Sequence, residues 1–179
     1  DDDKTATPLF AALTHPFAGV LMRPKALNHE GSRKNTVYYA GYHELAYLHP
    51  AIFTPDRSVL AEQGLSGTES FFIIRSVALN AHHDTGIRGI SKPNLQQLVS
   101  QLRPKGRVIM TTEKGDDLPA GAEKVNINPA RIHDLMAFSN MVISDGQTMC
   151  SEASCLGVPS VRINGFVGRI SYLDEQEKK

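Results

Sequence analysis

A parallel α/β sheet with right-handed crossovers is the fold class this sequence predicts. Three observations predict it: four short apolar runs follow one another from residue 70 onward, helix-period stripes separate them, and a polar turn opens the last stripe. The runs are Phe71-Phe72-Ile73-Ile74 with Val77, Arg107-Val108-Ile109-Met110, Met141-Val142-Ile143 and Ser160-Val161-Arg162-Ile163. They are mostly continuous rather than alternating, the pattern of parallel strands covered on both faces.

The elements between them follow in order. Pro93 suits a first helical turn and precedes Leu95, Leu98, Val99 and Leu102, an i, i+3, i+4, i+7 stripe closed by Pro104 and Gly106. Asn128-Pro129 opens a second helix that carries Ile132, Leu135, Met136 and Phe138. A third follows Thr148, with Met149, Ala153 and Leu156 on one face and Gly157-Val158-Pro159 at its end. Residues 5–69 read differently. Pro8, Pro16, Pro24, Pro50 and Pro55 interrupt any period, and Tyr38, Tyr39, Tyr42 and Tyr47 crowd one stretch. An irregular linker and docking segment is expected there, with one helix through Glu44 to Leu48.

Composition narrows the function. The 179 residues, 41% of them hydrophobic, suffice for one ordinary core and a small appendage. Lys and Arg total 19, as do Asp and Glu, so no overall field attracts nucleic acid or an anionic surface. No apolar run approaches the roughly 20 residues of a membrane span, and no basic-then-apolar segment opens the chain, so a cytoplasmic location is expected. Cys150 and Cys155 lie about 140° apart around one helix, which suits neither a disulfide nor a shared metal. They read as small core residues in a reducing compartment. Asp1-Asp2-Asp3-Lys4 reads as the remnant of a cleavable tag, and the charged stretch 174–179 as a helix inside something longer.

The segment MVISDGQTMCSEASCLGVPSVRI, residues 141–163, carries the chemistry. Ligands of parallel sheets bind at the carboxyl ends of strands, where loops lead into helices. Gly146 lets the backbone approach closely, and the free N–H groups at the start of the Thr148 helix suit a phosphate. The alternative is that Asp145, Gly146 and Thr148 only turn the chain and cap the helix. Glu152, one turn further on, is either a surface carboxylate or the acceptor of a ribose diol. A second loop, residues 75–93, places Arg75, His82, His83 and Arg88 beside Gly86 and Gly89, which reads either as a second phosphate clamp or as solvent-exposed and structurally satisfied side chains. His82, His83 and Asp84 are adjacent and diverge from any regular element, so no metal is expected; a metal-dependent hydrolase built on them is the weakest alternative. His133 and Asp134 read as a cap and surface pair. No nucleophile elbow, Walker loop or Gly-x-Gly-x-x-Gly fingerprint follows the first strand, which weighs against hydrolase, kinase and dinucleotide oxidoreductase.

The stretch NINPARIHDLMAFSNMVISDGQTMCSEASCLGVPSVRI, residues 126–163, resembles the nucleotide-binding half of GT-B-type glycosyltransferases, most closely UDP-N-acetylglucosamine 2-epimerases. Ser144, Asp145, Glu152, Ala153, Leu156, Gly157 and Pro159 match their motif. More specifically, YYAGYHELAYLHP, NAHHDTGIRGISKP and NGFVGRISYLDEQEKK look like an uncharacterised prokaryotic family, domain of unknown function 354, itself similar to these enzymes. The resemblance implies a Rossmann-like C-terminal lobe over 70–179, with 5–69 as the remnant of a first lobe, hinge and linker, and 1–4 as tag. It implies a UDP-sugar or related nucleotide-sugar as substrate, with no further cofactor. The diphosphate would fall on Gly146, Gln147, Thr148, Met149, Arg75, His82 and His83, the ribose on Glu152, and the base near Ile127 to Ile132. Catalytic groups commonly sit on the first lobe in such enzymes, so none is assigned; the chain is expected to bind more readily than it catalyses. Its clustered tyrosines are expected to pack in a homodimer. A non-catalytic Rossmann-like interaction module is the other reading.

Overall fold

The computed structural model describes residues 8–31, 34–77, 89–112, 118–165, 168 and 171–178. The chain begins with α1 (Pro8–Thr14) and a parallel strand pair, β1 (Leu21–Pro24) and β2 (Thr36–Tyr39), in register from Leu21 opposite Thr36 to Pro24 opposite Tyr39. A 3₁₀ connection, Lys25–Glu30, joins the two strands. Then come α2 (Leu45–Leu48) and α3 (Ser58–Glu62). The turn before α2 depends on Gly41: its φ is +95°, and a Cβ there would lie 2.8 Å from Leu45 Cδ1.

The main sheet follows: β3 (Phe71–Ser76), α4 (Lys92–Leu102), β4 (Arg107–Thr112), β5 (Ala122–Lys124), α5 (Ile132–Ala137), β6 (Met141–Ser144), α6 (Thr148–Cys155), β7 (Ser160–Arg162) and α7 (Ser171–Gln176). All five strands are parallel, in the order β5-β4-β3-β6-β7. The helix signals read from the sequence have physical counterparts. Ser91 Oγ accepts the Asn94 N–H to cap α4, and Asn128 Oδ1 accepts the Ala130 N–H in the turn leading to α5. Gly157, at φ +74°, closes α6.

The sheet is covered on both faces. Ile73 lies opposite Ile109 and Val142, and this fully buried row packs with Leu135, Met136, Met149 and Ala153 from α5 and α6. Ile74 lies opposite Met110 and Ile143 and meets Leu95 and Val99 of α4 on the other face. Fully burying such side chains is worth about 1.5–3 kcal/mol each, enough for two continuous apolar layers to dictate the register.

Two elements depart from expectation. Residues 8–69 hold β1 and β2, and Val59 and Leu60 of α3, with Leu65, enter the main core, so α3 belongs to the sheet's own packing. β5 adds a fifth strand to the four expected. It is three residues long with Glu123 and Lys124 exposed, a sequence with no apolar run to announce it. Leu27, Tyr172 and Leu173 form a third buried cluster that ties the connection after β1 to α7. Among the described residues no helix is long and apolar enough to cross a membrane.

Candidate functional site at the carboxyl edge of the sheet

Counting from β3, the strand order is 3-2-1-4-5, the order of a Rossmann-like sheet. The chain runs outward from β3 through β4 to β5, then returns to pair β6 with the opposite edge of β3. Connections therefore leave in opposite directions at the carboxyl ends of β3 and β6, and the crevice between them is where such sheets take ligands. Val77 leaves β3 there, and Asp145 and Gly146 leave β6.

Asp145 holds this edge together. Its buried carboxylate accepts the Val77 N–H at Oδ1 (2.6 Å) and, at Oδ2, the Ile90 N–H (3.2 Å) and the Ser76 hydroxyl (3.4 Å). It is thus committed to the backbone on either side of residues 78–88 rather than to the helix that follows it. On the far side, Asn164 Nδ2 donates to the Asp145 carbonyl at 2.9 Å, joining the end of β7 to the same turn.

Gly146 is a close-approach glycine. A Cβ there would meet Val77 Cγ1 at 3.1 Å and Ser144 Oγ at 3.4 Å. Its own N–H donates to Ser144 Oγ at 2.8 Å, so this amide is already satisfied within the turn. Gln147 is the N-cap residue of α6 and its side chain makes no capping bond, while Asp145 and Gly146 turn the chain ahead of it. The first-turn amides of a helix have no intrahelical acceptor, and α6 adds the positive end of its dipole at this point.

Arg75 lies opposite Thr111 and Ser144, one row beyond the end of β5. Strand alternation places it with Phe71 and Ile73, on the face covered by α5 and α6. Ile127 and Ile132 are partly buried and pack against that same core. His82 and His83, like Asp84, Gly86 and Arg88, lie outside the described residues. Among the described residues no group of three or more His, Cys, Asp or Glu side chains could hold a metal ion.

One turn into α6, Glu152 is 9% exposed and doubly held: Tyr47 donates its hydroxyl to Oε1 at 2.9 Å, and His133 Nε2 lies 3.0 Å from the same oxygen. The Tyr47 and His133 rings are 5.6 Å apart, and Phe53 meets His133 edge-on at 6.3 Å. Burial first, then the bond to Glu152 and the charges of Glu152 and Glu44, push the Tyr47 phenol well above its usual range. Glu44 is fully buried, and its nearest ionic neighbour is His43 Nε2 at 3.3 Å.

This arrangement corrects the reading of His133 as a surface residue; it is half-buried and faces Glu152 and Tyr47. Asp134 does serve locally, accepting from the Asp56 N–H (2.9 Å) and from Arg131 Nε (3.1 Å), which docks residues 56–58 onto α5. The tyrosines expected at a dimer contact bond within the chain: Tyr42 to Glu175 Oε1 (3.1 Å), Tyr38 to the Gly31 carbonyl (3.3 Å), and Tyr47 to Glu152. Tyr47 itself was not expected at the site. It lies 105 residues from Glu152, and only the fold brings them together.

The thiols are not nucleophiles near neutrality. Burial pushes Cys150 up to about 12 and Cys155 to about 11, the latter aided by the charges of Glu44 and Glu152. What the edge offers is amide donors, a helix terminus and a carboxylate that accepts a phenol hydroxyl beside an imidazole. These are the means of holding an anion and a polyol. The fold and this edge define the chain as a parallel α/β protein of Rossmann-like architecture with its candidate cleft at the switch point. No protein-family model matches the chain, and neither does any curated protein.

Proposed function

We propose that the switch-point cleft binds a nucleotide-sugar, with a uridine diphosphate sugar as the leading candidate, and that the chain is the nucleotide-binding half of a GT-B-like glycosyltransferase or sugar-nucleotide epimerase. The observation that carries this reading is the strand order, which sets the uncapped start of α6 beside the close approach of Gly146 to Val77. In this reading the amides of Gln147, Thr148 and Met149, next to Gly146, hold the diphosphate, with Arg75, His82 and His83 as cationic partners. Glu152 accepts the ribose diol, and the base lies toward Ile127 and Ile132.

Calorimetric titration with UDP, UDP-N-acetylglucosamine, GDP and ATP tests it. Selective binding of the uridine nucleotides that weakens in Glu152→Gln is expected. Equal binding by all four, or binding indifferent to Glu152, would sink it.

A second reading, an interaction module, is favoured by the exposed side chains of Leu9, Phe10, Leu13, Phe17, Met22 and Val37. Light scattering that finds only monomer at high concentration counts against association of copies through this surface.

A further inference from the structure

We propose that Tyr47 is a displaceable latch: its hydroxyl occupies the acceptor position on Glu152 that a ligand's diol would take, so that nucleotide binding frees the Tyr47 side chain from α6. This rests on the reading of Glu152 as the ribose acceptor.

Four observations carry it. Glu152 Oε1 accepts the Tyr47 hydroxyl at 2.9 Å with His133 Nε2 3.0 Å away, so a ribose diol that spans both carboxylate oxygens needs the place Tyr47 holds on Oε1. A phenol and a sugar hydroxyl are the same kind of donor, so one replaces the other without leaving the carboxylate unpaired. Tyr47 is 42% exposed, so it can leave toward solvent, while Glu152 at 9% stays in the wall of α6. Finally, the backbone of α2 is bonded at each amide from Leu45 to Leu48 and anchored by buried Glu44 and Leu48, so the release asks only the Tyr47 side chain to turn away.

His133 is the fixed partner. It sits on α5 with Nε2 3.0 Å from the same oxygen, and its ring meets those of both Tyr47 and Phe53. It keeps Glu152 in place when Tyr47 leaves. Because residues 42–48 join the β1–β2 pair to the main sheet, freeing Tyr47 loosens one of the ties between them. Tyr42 remains bonded to Glu175 and Leu48 remains buried, so the release is local to one end of the hinge. By linkage, ligand affinity and latch closure oppose each other to the same degree.

Calorimetry on the full chain with UDP tests this, using Tyr47→Phe, Glu152→Gln and the double variant. Tyr47→Phe keeps the ring and is expected to tighten UDP binding about tenfold, the worth of one charge-assisted hydrogen bond. Glu152→Gln should weaken binding, and Tyr47→Phe should then add nothing. 2′,3′-Dideoxyuridine diphosphate, which has no diol, should bind Tyr47→Phe and the unmodified chain alike. If Glu152→Gln weakens UDP while Tyr47→Phe leaves it unchanged or weaker, the latch is wrong and the nucleotide reading stands. If UDP does not bind, or binds regardless of Glu152, both fall. A second readout needs no variant: the Tyr47 Cζ resonance of tyrosine-labelled protein should move when UDP saturates the chain, and an unmoved resonance in the bound state overturns the latch.

Discussion

Asp145 and Val77 are joined across the carboxyl edge of the sheet, the carboxylate of one accepting the backbone N–H of the other at 2.6 Å, while the second carboxylate oxygen accepts Ile90. One buried side chain thereby fixes where β3 ends, where the approach to α4 begins and where α6 starts. The candidate cleft is built around that tie.

Removing the carboxylate leaves two backbone donors unpaired at a buried edge. Asp145→Ala is expected to cost about 3 kcal/mol in urea denaturation, with hydrogen-exchange protection lost at Val77 and Ile90. Ser76→Ala, which deletes only the long 3.4 Å contact, should cost under about 1 kcal/mol. Equal effects from the two variants would show that the tie is not where the edge is held.

The close approach of Gly146 to Val77 makes a second test. A methyl group added at Gly146 meets Val77 Cγ1 at 3.1 Å, so Gly146→Ala should destabilise by about 1 kcal/mol. Val77→Ala in the same chain should recover part of that loss, because the crowding atom is gone. Additive losses would contradict it.

How much of this could be read from the sequence depends on range. The central strands announced themselves because Phe71 to Ile74, Val108 to Met110 and Met141 to Ile143 are buried on both faces and so carry continuous apolar runs. The turn at Asp145 and Gly146 was visible for the same reason, standing between such a run and an apolar stripe. β1 and β2 were not. Arg23 and Pro24 end one, and the other is half the tyrosine-rich stretch, so neither carries a strand pattern. Glu152 was legible as a polar residue beside an apolar stripe, but its partners Tyr47 and His133 come from α2 and α5, and no local signal joins them.

Tyr47 provides a pH test. Its phenol is raised in the folded chain, so the folded state holds that proton more tightly than the unfolded one. The stabilisation is present below about pH 10, the ordinary tyrosine value, and is lost as pH rises toward the folded value. The stability difference between the unmodified chain and Tyr47→Phe should shrink above about pH 10. In a tyrosinate absorbance titration, the unmodified chain should show one tyrosine that lags the others and is missing from the variant. A Tyr47 that titrates with the rest would contradict the contact with Glu152.

The thiols give a simpler measurement. Disulfide-exchange labelling should be slow at neutral pH and accelerate toward pH 11 at Cys155, which lines a cavity of about 630 Å³ between α6, β7 and α7. Cys150, buried and pushed up to about 12, should remain unlabelled while the chain is folded. Rapid labelling of either at neutral pH would show that the burial described is incomplete.

If the switch point is an anion and ribose site, saturating UDP moves the backbone amide resonances of Gln147, Thr148, Met149 and Val77 together, with Glu152 one turn beyond, and leaves the opposite edge of the sheet, at Ser70, Gly106 and Arg107, unmoved. Shifts confined to that opposite edge, or none at Gln147 to Met149 under saturating UDP, would contradict it.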